Sequence, residues 1–269
     1  MQDKESTTIQ HPEAWELLVS ISGRQVQYIL YTPAVAGSLI IGVKDLADES
    51  LQALEDAIYD TPQLLGEYKR ARVVVHSSHY VLLPADVADE DCMMLVRQAF
   101  HGDDGDAAVC DMTASGVKLA FLMPRGMQAF LGRTFNYPVV CHHLMPLCEH
   151  LKGVSRDADS SRMFLNLRQE SMDAVIYRDG HLQMAGTYPV TNAQDAAYFA
   201  LNAWRSHGLD QLTDEMQLMG DGQLRTAMMP LLREYVKYVM PAVYPAAAMR
   251  LGRNAMQAPL ELIMLALCE

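Results

Sequence analysis

Residues 17–42 read LLVSISGRQVQYILYTPAVAGSLIIG and residues 164–188 read FLNLRQESMDAVIYRDGHLQMAGTY, and these two stretches decide the architecture. Each is a short β run, a polar turn, a second β run, another turn and a third run. The first polar turn is Ser22-Gly23-Arg24 and the second is Arg168-Gln169-Glu170-Ser171. Apolar runs broken by tight polar turns predict antiparallel strands. A segment of helical period follows each copy. A self-similar unit recurring at about half the chain length predicts a duplicated fold of two lobes.

Downstream of the first copy, Asp48-Glu49-Ser50 opens a helix carrying Leu51, Leu54, Ile58, Leu64 and Leu65, and Arg72–His76 is a buried-strand run. Pro84 and Asp86 predict a short helical segment, and Asp89-Glu90-Asp91 opens another through Phe100. A polar loop at 101–106 precedes β runs at 107–112 and 116–123 and helices near 126–133 and 139–152. Gly153–Ser161 has the small, polar composition of a connection, so the expected lobes are 1–153, with insertions, and 162–269. In the second lobe Thr191–Asp195 reads as a capped helix start, 215–219 as a strand ending in Gly220-Asp221-Gly222, and 224–239 as a long helix stopped by Pro241. The Ala- and Met-rich segment after Pro245 reads as helical.

Composition narrows the function classes. The 269 residues are 50% hydrophobic and 20% charged, with a net charge of −12, the profile of a globular protein whose surface repels phosphate backbones. Nucleic acid is therefore not the expected partner. The polar N-terminus MQDKESTTIQHPEAW has no signal-like apolar stretch, and the apolar run 259–268 is shorter than the ~20 residues that span a bilayer. Five scattered cysteines (92, 110, 141, 148, 268) fit reduced thiols. These features predict a cytoplasmic protein with no membrane span.

The order β-β-β-α-β-α of the second half is that of the actin-like ATPase (ribonuclease-H-like) fold, and the first half has the same elements plus extra strands. The expected class is thus α/β with mixed sheets, duplicated. In that fold the first hairpin turn of each lobe cradles phosphates, usually through Asp-x-Gly-Ser/Thr, with the Asp positioning Mg²⁺ or water. Both turns depart from this pattern. The first reads Ser20-Ile21-Ser22-Gly23, without an Asp; the second reads Asn166-Leu167-Arg168-Gln169-Glu170, without Asp or Gly. Gly220-Asp221-Gly222 sits where the fold places a nucleotide-contacting Gly-Gly pair.

Further phrases carry a family likeness: Gly186-Thr-Tyr, Asp195-Ala-Ala-Tyr198-Phe-Ala-Leu201, Leu218-Met-Gly220, Leu232-Arg-Glu-Tyr235-Val, Pro259-Leu-Glu-Leu and Leu267-Cys268. In these the chain resembles the bacterial domain-of-unknown-function 3822 family. The likeness covers most of the chain and is clearest from about residue 163 onward. It implies an actin-like fold related in shape to cytoplasmic assembly proteins of type IV pilus and type II secretion systems, and it implies no activity.

Other constellations have plainer readings. Cys141-His-His-Leu-Met-Pro-Leu-Cys148-Glu-His150 lacks the close C-x₂₋₄-C spacing of structural zinc sites and reads as a helix with buried thiols and surface histidines. His76-x-x-His79 on a strand puts its rings on opposite faces. Asp103-Asp-Gly-Asp106 lacks the distal Glu of a calcium loop and reads as a solvated turn. No Gly-x-Ser-x-Gly elbow, Walker loop or Gly-x-Gly-x-x-Gly occurs, which leaves a hydrolase or transferase with an unrecognised site as a minor third class. The eighteen methionines fill core gaps or form an adaptable contact surface.

The reading that follows is a non-catalytic pseudo-ATPase serving as an interaction or scaffold protein, with an unidentified protein partner and no cofactor or metal. Without the Asp of the pattern in either turn, a Mg²⁺–phosphate clamp is badly weakened. The alternative is a nucleotide-binding ATPase that takes ATP and Mg²⁺. It would use Ser20, Ser22 and Gly23 on one side, Asn166 and Arg168 on the other, and Gly220, Asp221 and Gly222 at the adenosine, with Arg168 supplying positive charge.

Overall fold

Each quoted stretch folds into three antiparallel strands that form one half of a five-stranded mixed sheet. A computed structural model describes residues 9–155 and 160–268. The first copy gives β1 (Glu16–Ser22), β2 (Gln25–Tyr31) and β3 (Ile40–Asp45), followed by α1 (Leu51–Tyr59) and β4 (Arg70–Val75). The extra strands β5 (Tyr80–Pro84), β6 (Asp106–Met112) and β7 (Val117–Met123) form a separate sheet with α2 (Asp89–Ala99). Then come α3 (Met127–Thr134), β8 (Val139–His142) and α4 (Leu144–Ser155). The second copy gives β9 (Arg162–Leu167), β10 (Ser171–Arg178) and β11 (His181–Pro189), then α5 (Ala193–Ser206), β12 (Glu215–Gly220), α6 (Gly222–Arg233) and β13 (Tyr238–Pro241). Helix α7 (Leu260–Leu267) closes the described chain.

The two large sheets share one topology. Strand order is β3-β2-β1-β4-β8 in one and β11-β10-β9-β12-β13 in the other, with the hairpin strands antiparallel and the last three parallel. Register at the first hairpin is the same in both copies. Ile21 pairs with Val26 across β1–β2, and Leu167 pairs with Met172 across β9–β10, with the same interval between partners. Ser20 and Asn166 therefore occupy equivalent positions, one residue before these pairs.

The chain divides into two compact units. One comprises residues up to Met112, Gly116–Pro146 and the closing stretch from Ala246; the other comprises Thr113–Ser115 and Leu147–Pro245. The closing stretch thus belongs with the first unit, although it follows the second copy in sequence. The reason is α7: Leu262, Ile263, Met264 and Leu265 are all buried, and the helix packs on β1. Each such side chain contributes about 2 kcal/mol when withdrawn from water. Arg72 on β4 closes the helix end, donating to the carbonyls of Leu265 (2.7 Å) and Cys268 (3.2 Å). In the second unit the face of sheet β9–β13 carrying Met163, Leu165 and Met216 packs against Ala196, Ala200, Ala203 and Trp204 of α5 and Met228 and Leu232 of α6.

Four local readings are corrected. Pro84 ends strand β5 at a sheet edge, where its missing N–H is harmless, rather than starting a helix. The segment 139–152 is strand β8 followed by α4, so Cys141 and Cys148 do not share a helical face. His142 and His143 are buried rather than on the surface. The helix at 224–239 ends at Arg233, and Tyr238–Pro241 is strand β13, paired in parallel with β12. After Pro245 two short 3-10 segments precede α7. The connection 153–161 lies partly outside the described residues, as does the polar start of the chain.

Candidate functional site

In the first unit, β1 and β2 meet at the two-residue turn Gly23-Arg24. The Ser22 hydroxyl donates to the Gln25 carbonyl at 3.4 Å. Gly23 is exposed, and a side chain there would meet Glu49, an acid from the loop before α1, at 3.3 Å. Glu49 also lies 3.9 Å from Arg24 of this turn, and its position along the sequence hid it.

Ser20, two residues earlier on the same face of β1, lies inside the unit. It is 2% exposed and donates to Glu261 Oε1 of α7 at 3.0 Å, while His76 Nε2 lies 3.1 Å from its hydroxyl and 3.2 Å from the same carboxylate oxygen. The His76 ring stacks in parallel on His143 at 4.4 Å. Beside it, His142 accepts from the Leu144 amide at Nδ1, which leaves its Nε2–H to donate to the Ser77 carbonyl at 2.9 Å. Serine, histidine and glutamate here form a closed triangle on one ring nitrogen. A nucleophilic relay instead sets the acid on the opposite nitrogen from the serine, so the cluster is not arranged as one.

In the second unit the equivalent turn is built around a buried acid. Asp173 on β10 is fully buried and pairs in register with Asn166 on β9. Its carboxylate accepts from Asn166 Nδ2 (3.1 Å), Thr187 Oγ1 (2.8 Å), Arg168 Nη2 (2.7 Å) and Arg168 Nη1. Arg168 also donates from Nε to the Ser171 hydroxyl at 3.0 Å, and its backbone amide closes the turn on the Ser171 carbonyl. The guanidinium is thus fastened along its whole edge to the protein itself.

Gly220 ends β12 against this turn. Its φ is +85°, and a Cβ there would stand 2.1 Å from the Leu167 carbonyl oxygen and 2.9 Å from Asn166 Oδ1. Asp221 caps α6, accepting from the Leu224 amide at 2.7 Å, and its own amide donates to the Leu167 carbonyl. Gly222 is the first residue of α6, with open space around it out to Arg225. Within the second unit, then, Asn166, Arg168 and Gly220 come together. In the first unit Ser22 and Gly23 lie at the turn tip and Ser20 is drawn away beneath α7. Glu261, His76, Asp173 and Thr187 were not selected from sequence. Asp173 carried a signal there, as an acid inside an otherwise apolar strand.

These residues fit a Mg²⁺–phosphate group poorly. The first turn offers no carboxylate of its own; Glu170 stands exposed on the second turn, and Asp173 behind it on β10 is buried and bonded by Asn166, Arg168 and Thr187. The other metal readings find different roles. His79 Nδ1 bonds Asp103 at 2.7 Å while His76 faces Glu261, Asp104 pairs with Arg125, and Asp106 accepts from the Gln128 amide. Among the described residues no group of three or more His, Cys, Asp or Glu is placed to hold a metal ion. Among them, too, no helix is long and apolar enough to cross a membrane.

The sequence matches, over residues 4–239, the model of a family described as a protein of unknown function, DUF3822. The chain belongs to the DUF3822 family. Its structure is similar to that of a Bacteroides thetaiotaomicron protein with an actin-like ATPase fold and unknown function, at a TM-score of 0.79 and 19% identity, covering 96% of this chain and 97% of that one. It is also similar to a chain of the PilM–PilN type IV pilus biogenesis complex, at a TM-score of 0.55 and 12% identity over 96% of this chain and 100% of that one. No curated protein matches the sequence. This DUF3822 protein has the actin-like ATPase fold, as the strand order of its hairpin repeats predicts. The family match stops at Val239, so α7 and its Glu261 lie beyond the matched region.

Proposed function

We propose that this DUF3822 protein is a non-catalytic actin-fold interaction or scaffold protein. The observation that carries the reading is the internal engagement of both turn sites: Asp173 holds the Arg168 guanidinium, and Glu261 holds the Ser20 hydroxyl. A phosphate arriving at the second turn would have to displace a buried carboxylate from its arginine, and breaking such a pair costs about 3–5 kcal/mol. A chain of similar fold stands in the PilM–PilN type IV pilus biogenesis complex, so protein partnership is within the range of this fold. The partner is a protein rather than nucleic acid, because the net charge of −12 repels phosphate backbones.

One observation favours the alternative of a divergent ATPase. Gly220-Asp221-Gly222 retains a left-handed glycine and an open helix start beside the second turn, with Glu49 beside the first. The two readings part in a phosphate-release assay with ATP and Mg²⁺. The scaffold reading expects release no faster than the buffer blank. Turnover above the blank that falls in Glu49→Gln would establish the alternative.

A further inference from the structure

We propose that a cavity beside the second turn receives an arginine side chain of the protein partner; this rests on the interaction reading and names the chemistry of the contact. The cavity has a volume of about 780 Å³ and lies wholly within the second unit. It is lined by Glu170 of the β9–β10 turn, Pro189 and Val190 at the end of β11, and Asp195, Tyr198 and Phe199 of α5. Apolar and aromatic walls with a few convergent polar groups are what a ligand site requires.

Charge selects a cation, because both acids belong to the lining itself. The Glu170 carboxylate has no hydrogen bond or ion pair among the described residues, where only its backbone carbonyl is used, accepting from the Val190 amide. The Asp195 carboxylate is bonded by neutral donors, Thr191 Oγ1 and Asn192 Nδ2. The neighbouring guanidinium, Arg168, is engaged by Asp173. The start of α5 adds about half a positive charge against these two full negative ones, so the field in the cavity favours a cation.

The aromatic wall narrows the cation to a guanidinium. Tyr198 is 66% exposed, and its ring meets Phe199 edge-on at 5.5 Å, while Phe199 stacks in turn on Tyr188 at 5.2 Å. Among the described residues no Lys or Arg lies over the Tyr198 or Phe199 ring. A guanidinium suits both kinds of wall, since its plane stacks on a ring while its N–H edge donates to carboxylates. An ammonium meets the acids without stacking, and a quaternary ammonium has no N–H to give. Tyrosine and arginine also dominate the energetic centres of protein interfaces, which makes a protein the source of the group.

The probe is an acetylated, amidated pentapeptide with arginine at its centre between two valines, titrated into the full chain and followed by amide chemical shifts. Parallel peptides carry lysine or citrulline, the neutral isostere, in place of arginine, and acetyl-arginine amide stands for a free small ligand. The expected result is saturable shifts at residues 169–170 and 189–199 with the arginine peptide. The citrulline peptide and acetyl-arginine amide should each bind about tenfold more weakly or worse, with the lysine peptide between. Glu170→Gln and Tyr198→Ala, both at exposed positions, should each weaken the arginine peptide about fivefold or more with an unchanged far-ultraviolet spectrum. Equal binding of the citrulline or lysine peptide, shifts confined to other elements, indifference to both variants, or no saturable shift would each overturn the proposal. Equal binding of acetyl-arginine amide would overturn the protein source. ATP turnover above the blank with arginine binding intact would defeat the non-catalytic reading and leave the pocket standing; no turnover and no arginine binding would do the reverse.

Discussion

Arg168 and Asp173 form a two-pronged ion pair inside the second unit, the guanidinium lying along a carboxylate that is fully buried and also bonded by Asn166 and Thr187. In the first unit the equivalent of Asn166 is Ser20, and it too ends on a buried acid, Glu261. The two acids come from unrelated places, one from the adjacent strand and the other from the last helix. The duplication therefore extends to a polar group before each turn that the chain satisfies internally.

Arg168→Ala should act on stability. It takes the guanidinium from the buried Asp173 carboxylate, which Asn166 and Thr187 bond as neutral donors, a loss of about 3 kcal/mol. That corresponds to a fall in Tm of roughly 6–12 °C by calorimetry. A Tm unchanged within error would mean the pair is not formed in solution.

Glu261→Ala removes the acceptor shared by Ser20 and His76 beneath α7. Loss of a buried acceptor costs about 1–3 kcal/mol, so amide exchange across 260–267 should quicken by one to two orders of magnitude. Faster exchange confined to other elements would place the anchor of α7 elsewhere, at Arg72.

Gly220→Ala and Gly116→Ala make a matched pair. Both glycines have positive φ, but a Cβ at Gly116 meets open space whereas one at Gly220 overlaps the backbone oxygen of Leu167. The Gly116 variant should lose only about 1 kcal/mol. The Gly220 variant should lose more than about 3 kcal/mol or fail to accumulate as soluble protein. Equal Tm values would show that Gly220 is not packed against the β9 turn.

Alkali should unfold the protein partly through Tyr31. Burial, with Glu16 opposing the charge of Arg72, pushes its hydroxyl up to about 12. A group whose folded-state pKa is raised contributes fully below its unfolded value, near 10, and that contribution is lost as the pH rises toward 12. Stability measured in urea should thus decline across pH 10–12, and less steeply in Tyr31→Phe. An identical slope in the variant would exclude this origin.

The hairpin repeats were legible because each strand carries its own period and each turn its own polar residues; β1–β3 and β9–β11 needed no partner to be recognised. What escaped depended on tertiary context. β8 and β13 are four-residue runs flanked by helix formers, and at that length an apolar stretch has no period to separate strand from helix. Pro84 has the look of a helix start and becomes a strand end only because β5 is an edge. At the site, Asn166, Arg168 and Gly220 are near in sequence or repeat position, so the fold pattern located them. Glu261 reaches Ser20 across 241 positions, a distance at which no local pattern operates.

The most direct test is titration calorimetry of the full chain with ATP, with and without Mg²⁺. The internally satisfied turns predict no saturable heat at millimolar nucleotide under either condition. Saturable binding in the micromolar range, strengthened by Mg²⁺, would contradict the account and make the Gly220–Gly222 turn and Glu49 a working nucleotide site.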